Sequence, residues 1–147
     1  VNKIDVNTNL TLTSGVLVTN GYRLRMTNST AANLIHSTGN ASFIYSTSAG
    51  LFTRGIASNT SVYEFPVGDG VSTTNYKRAD IVNNNLTGVN YIDSYVSSIS
   101  ESGNNLDSRL IAANVTQDGV ALTDVEAAAE WSFVPDAITG GSYGVRL

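Results

Sequence analysis

Three strand-and-turn units follow one another near the start of the chain: NLTLTSG (residues 9–15), VLVTNG (16–21) and YRLRMTN (22–28). Each is a few residues of β-former closed by a turn pair, Ser14-Gly15, Asn20-Gly21 or Asn28-Ser29. Gly, Asn and Ser tolerate the backbone of tight turns at little steric cost, so the chain is expected to reverse at each pair. This leaves little room for anything but β structure. Apolar parity agrees: Ile4, Val6, Leu10 and Leu12 occupy even positions with polar residues between them, the period of a half-buried strand. Tyr22, Leu24 and Met26 continue it, with Arg23 and Arg25 on the opposite, solvated face, where two guanidiniums could also grip an anion.

Composition removes the main competitor. Charged residues are 14% of the 147, against about 25% in ordinary domains, and Asn, Ser and Thr together make one third. Hydroxyl and amide side chains suit exposed sheet faces and turns, whereas a long amphipathic helix is normally solvated by Lys and Glu. Along the rest of the chain, short strands are predicted around Leu34-Ile35, Phe43–Tyr45, Leu51–Arg54 and Tyr63–Val67. Pro66 lacks an N–H and should end the last of these or place it at an edge. Longer strands follow over 76–82 and 89–99, the latter central, with Tyr91 and Tyr95 on one face and Ile92 and Val96 on the other. A hairpin is expected from 109–115 and 119–122, and a short helix at 125–129, capped by Asp124. Strands at Trp131–Pro135 and Tyr143–Leu147 complete the pattern. It predicts one all-β module over 1–147: a β-sandwich, jelly-roll-like, with a strand-turn, solenoid-like part over 1–60 and sandwich strands over 61–147.

Net charge is −4 with no concentrated basic patch, so nucleic acid is not an expected partner. No 18-residue apolar run exists to insert into a membrane. Cysteine is absent, which removes thiolate chemistry and disulfides, and a chain of this size can hold a core without staples. The chain opens at Val1 and is read as a processed segment of an exported precursor, hence extracellular.

Several residue types that carry chemistry are present, but none falls into a diagnostic constellation. His36, the single histidine, lies in a polar segment without a nucleophile-elbow motif and is expected to be an exposed or loop side chain. Glycoside hydrolysis needs two carboxylates across a cleft; Glu64, Asp69, Asp80, Asp93, Glu101, Glu126 and Glu130 are available without a telling spacing. Asp93 stands out because parity sets it between Tyr91 and Tyr95, where a buried carboxylate would need partners. No cofactor is predicted. Calcium is the one ion for which hard oxygen donors can be named, Asp69, Asp118 and Asp124, though without an EF-hand spacing. Six Asn-x-Ser/Thr sequons start at Asn9, Asn28, Asn40, Asn59, Asn85 and Asn114, and carry glycans only where the host has the machinery. Tyr22, Tyr91, Tyr95, Tyr143 and Trp131 either fill the core or line a sugar-stacking platform.

The order LTLTSGVLVTNGYRLRM, LFTRGIASNTSVYEFPVGDG, YKRADIV and EWSFVP…GGSYGVRL resembles a β-rich module of large exported surface proteins of Bacteroidota, of the type IX secretion kind. The part that carries most is Tyr63-Glu-Phe-Pro-Val-Gly68 with Tyr76 downstream. The resemblance implies a secreted or surface-displayed building block and not an enzyme. The O-glycosylation motif common in such proteins is not matched: Asp93-Ser-Tyr95 and Asp107-Ser-Arg109 carry the wrong third residue. The leading expectation is a structural or adhesive module, in tandem with neighbouring domains or in a homo-oligomeric filament built by β-strand addition. Ile4, Val6, Leu10 and Leu12 at one end and Tyr143, Val145 and Leu147 at the other are the residues expected to pair between subunits. The alternative is a carbohydrate-binding module of a secreted protein.

Overall fold

Alternating apolar residues make a strand, but only closure of the chain decides which strand it joins. In the computed structural model, which describes residues 2–37, 39–98, 116–117, 120–121 and 129–147, the early strands pair in parallel. A first coil holds β1 (Lys3–Val6), β2 (Leu10–Leu12) and β3 (Gly15–Val18), and a second holds β4 (Arg23–Met26), β5 (Leu34–His36) and β6 (Ser42–Tyr45). Each strand of the first lies parallel to its counterpart in the second: Lys3 faces Arg23, Leu10 faces Leu34, and Gly15 faces Ser42. A third coil adds β7 (Phe52–Gly55) on β4 and β9 (Val67–Gly68) on β6, again parallel. The chain is therefore all-β and its first part is a short β-solenoid. The turn pairs do not reverse neighbouring strands onto each other as expected. They are corners between different sheets, with Gly15, Asn20 and Gly21 at positive φ. A hairpin turn and a solenoid corner ask for the same left-handed residues, so local sequence cannot separate them.

Antiparallel pairings follow. In the third coil β8 (Val62–Phe65) stops before Pro66, as predicted, and pairs with β10 (Ala79–Thr87). β10 in turn pairs with β15 (Gly140–Arg146), through a register shift between Asn84 and Thr87. Gly141 sits at that shift with φ 78°, and a Cβ there would lie 2.1 Å from the Asn85 carbonyl oxygen, so no other residue fits. β11 (Tyr91–Ser97) joins β7, and β14 (Glu130–Pro135) completes the five-stranded order β1-β4-β7-β11-β14. β11 is central, as expected, but it is buried on the Ile92–Ser94–Val96 face alone, and β10 at nine residues is longer than β11 at seven. The five-stranded sheet and the β15-β10-β8 sheet meet at an aromatic layer. Phe52 packs edge-on to Phe65 at 6.0 Å between centroids and Phe65 edge-on to Phe133 at 5.3 Å.

Val1–Ser97 with Trp131–Leu147 forms one compact unit and Ser98–Glu130 a second. In the second, β12 (Thr116–Gln117) and β13 (Val120–Ala121) pair antiparallel, a hairpin whose first strand lies just beyond the predicted 109–115. Residues 109–115, Asp118, Asp124 and most of the predicted helix lie outside the described residues; Ala129, its last residue, is not helical. Among the described residues the helices are two single 3-10 turns, Ala31–Asn33 and Thr73–Asn75.

Candidate functional site

The first coil ends in three free edges. Among the described residues, β1, β2 and β3 each stand at the edge of their own sheet, β1-β4-β7-β11-β14, β2-β5 and β3-β6-β9. Parallel pairing keeps registered residues on one face, so Ile4, Leu24 and Phe52 form one row across β1, β4 and β7. Their exposures are 57%, 5% and 0%. An inward-facing row that is sealed in the second and third coils is thus open at the first. Val6 and Leu10 are half-buried and Leu12 is buried, so the four residues expected at this end lie on two adjacent free edges. Tyr143 and Val145 lie on β15, an edge of a different sheet, and together with Leu147 they are exposed. Both of these segments pair inside the chain, β1 with β4 and β15 with β10, and among the described residues each keeps one free edge.

The outer face of the same five-stranded sheet carries a charged ladder. Asp5, Arg25, Thr53 and Asp93 face one another in register across β1, β4, β7 and β11. Arg25 donates through Nε (2.9 Å) and Nη2 (2.8 Å) to the two oxygens of Asp5, and its guanidinium lies 4.9 Å over the Tyr91 ring. That bidentate bond holds the Asp5 carboxyl below its ordinary range. Arg23 donates from Nη2 to Asp93 Oδ2 at 2.9 Å, and Thr53 Oγ1 donates to Asp93 Oδ1 at 2.5 Å. Burial alone would raise Asp136 nearby, yet the N–H groups of Asn90, Tyr91 and Ala137 hold its carboxyl below the ordinary range. Arg23 and Arg25, expected on a merely solvated face, are therefore both neutralised within the chain, and Asp93 has the partners its position required.

His36 departs from expectation more sharply. It is neither exposed nor in a loop: it ends β5 with a side chain only 3% exposed. Nδ1 lies 2.9 Å from Glu64 Oε1 and Nε2 2.5 Å from the Ser42 carbonyl oxygen, while Tyr76 packs at 5.7 Å. Both ring nitrogens are thus engaged, and the nearby Ser42 hydroxyl donates to the Leu12 carbonyl and not to the ring. The cluster extends through Arg78, which lies between Glu64 and Asp80, to Arg146, 2.9 Å from Asp80. Glu64 and Asp80 are directly opposed on β8 and β10, a repulsive pairing that the two arginines offset.

A further polar residue escaped sequence reasoning. Arg54 is fully buried, donating to the carbonyl oxygens of Glu64 (2.7 Å) and Ala31 (2.8 Å), with Tyr63 and Phe65 rings at 5.3 and 6.0 Å. Burial lowers its pKa to about 10. Among the described residues no ladder joins β5 to β8. Arg54, the Tyr63 hydroxyl on the Ser29 carbonyl (2.8 Å), and His36 on Glu64 bridge the second and third coils where backbone bonds do not. The signal was present: Arg54 shares parity with Phe52, and a strand with Phe inside must turn Arg54 inside too.

Of the predicted calcium donors, Asp69 is half-buried, and among the described residues no group of three His, Cys, Asp or Glu side chains converges as a metal site. The aromatic residues divide differently from the core-filling expectation. Phe43, Phe52, Tyr63 and Phe65 are buried, whereas Tyr22 and Tyr143 are 46% and 44% exposed and Trp131 is half-buried, donating to the Lys77 carbonyl. Tyr143 lies on one sheet and Tyr91, Tyr95 and Trp131 on another, so the named rings are not all brought to one platform. Among the described residues no helix is long and apolar enough to cross a membrane. No known family model, curated protein or solved structure matches the chain at a significant level.

Proposed function

We propose that this chain is an extracellular structural module that extends by β-strand addition at the open end of its solenoid, joining a second copy into a filament or a neighbouring domain of a surface protein. One observation carries the reading: among the described residues, β1, β2 and β3 present three free edges at one end, with an apolar row exposed at Ile4 and sealed one coil later at Leu24. Free edges hold unpaired N–H and C=O groups that template an added strand, and a solenoid coil buries its inward row only when the next coil stacks on it. The hydroxyl-rich, weakly charged composition and the resemblance to exported surface modules support placement outside the cell.

The test introduces charge where the free chain tolerates it. Ile4→Lys and Val18→Lys lie on free edges and are already exposed, so the folded chain should keep its stability. The intact chain should sediment as growing oligomers and show filaments by electron microscopy as concentration rises, and the double variant should stay monomeric. A monomeric intact chain at every concentration, or assembly unchanged in the variant, would overturn the reading.

A further inference from the structure

The outer face of the five-stranded sheet holds a cleft of about 70 Å³ between side chains of β4, β7, β11 and β14 and Asp136 just beyond it. It is distinct from the free edges, and its chemistry selects a ligand class. Arg23 is paired with Asp93 and Arg25 with Asp5, and Asp136 accepts from three backbone N–H groups. An added anion would meet Asp93 and Asp136 with no uncommitted cation, and an added cation would meet two guanidiniums. A neutral ligand disturbs none of these pairs.

Hydrogen-bonding capacity remains on both sides. A guanidinium carries five N–H donors. Arg25 commits Nε and Nη2 to Asp5, and Arg23 commits Nη2 to Asp93. Arg23 Nε is buried and without a partner among the described residues, so the donors left to a ligand are the remaining N–H groups of the two guanidinium ends. Each Asp93 oxygen accepts one bond and has room for another, and the Thr53 hydroxyl, which donates to Asp93, can still accept. Donors and acceptors therefore alternate over a few ångströms, with Tyr91 as an apolar wall. Two neighbouring hydroxyls, each both donor and acceptor, meet such a surface without adding charge. At about 70 Å³ the cleft admits the polar groups at one edge of a sugar ring, with the ring itself outside.

We infer that this cleft binds the diol edge of one neutral sugar residue, which gives the carbohydrate-binding alternative a specific place. It does not depend on strand addition, because it uses the sheet's face and not its free edge. The experiment is an amide-resolved NMR titration of the intact chain with methyl glycosides of glucose, galactose and mannose, and with glucuronate and glucosamine as charged counterparts. At least one neutral glycoside should shift the amides of Arg23, Thr53 and Asp93 with a dissociation constant on the order of 1 mM, and the charged sugars should bind more weakly. Arg23→Gln should weaken binding by about tenfold or more; Arg25→Gln serves as the second variant if the first loses its dispersed spectrum. No shift at these amides by about 100 mM of any neutral glycoside, tighter binding of either charged sugar, or unchanged binding in a folded variant would overturn the inference.

Discussion

Ile4 and Phe52 occupy the same row of the same sheet, two coils apart, and live in opposite environments. Phe52 is sealed from solvent while Ile4 is more than half exposed, although both are apolar and both face inward by register. In a solenoid, burial belongs to the stack and not to the residue: among the described residues Phe52 has β4 on one side and β11 on the other, and Ile4 has β4 alone. The polar residues repeat the lesson. Asp5 and Arg25 pair bidentately at the outer face, whereas Arg54, one position from that ladder, turns inward and is held by backbone carbonyls.

Substitutions along the row break or sharpen this contrast. Phe52→Ala should cost about 3–5 kcal/mol in urea unfolding, since it opens a cavity at the aromatic layer shared with Phe65. Arg54→Ala should cost about 3 kcal/mol, because it strands the buried carbonyls of Ala31 and Glu64 and removes ring contacts. Arg54→Met should recover part of that loss, as it removes a buried charge whose pKa burial has lowered. A cost for Arg54→Ala like that of an exposed arginine would refute the bridging role.

Tyr76 supplies a pH-dependent test on the same region. Burial, with a contribution from Glu64, raises its phenol from an ordinary 10.0 to about 12. The folded chain thus holds a proton that the unfolded chain releases, so the stabilisation is complete below pH 10 and is lost as pH rises through about 12. The urea midpoint should fall over that window, and less so in Tyr76→Phe; equal alkaline slopes would sink the assignment. The smallest effect belongs at the open end. Ile4→Ala in the monomeric chain should cost less than about 1 kcal/mol, given how much of the side chain is already in water. A cost near that of Phe52→Ala would mean that Ile4 is already covered in solution.

Much of this was legible in the residues. The alternations Ile4–Val6 and Leu10–Leu12 became β1 and β2, Tyr63–Phe65 ended at Pro66, and Trp131–Pro135 fell within β14. The apolar alternation of Ile4, Val6, Leu10 and Leu12 was visible without knowing its partner strands, and among the described residues it lies on sheet edges. His36 was misplaced because its neighbours in sequence, Ser37 and Thr38, are polar, while its neighbours in space, Glu64, Ser42 and Tyr76, come from later segments. The tyrosines proposed for the core were displaced by Phe43, Phe52 and Phe65, which leave no hydroxyl to satisfy; Tyr63 is buried because its hydroxyl reaches the Ser29 carbonyl.

By itself the order of residues determined that this chain is made of strands, where most of them run, and which side of each is apolar, because period-two alternation and turn chemistry act over a few residues. The tertiary structure alone decided that the early strands stack in parallel coils, that Arg54 and His36 bridge two of them, and that one end stays open. Those outcomes depend on meetings between segments 20 to 28 residues apart, and a corner that closes a coil is built from the same residues as a turn that closes a hairpin.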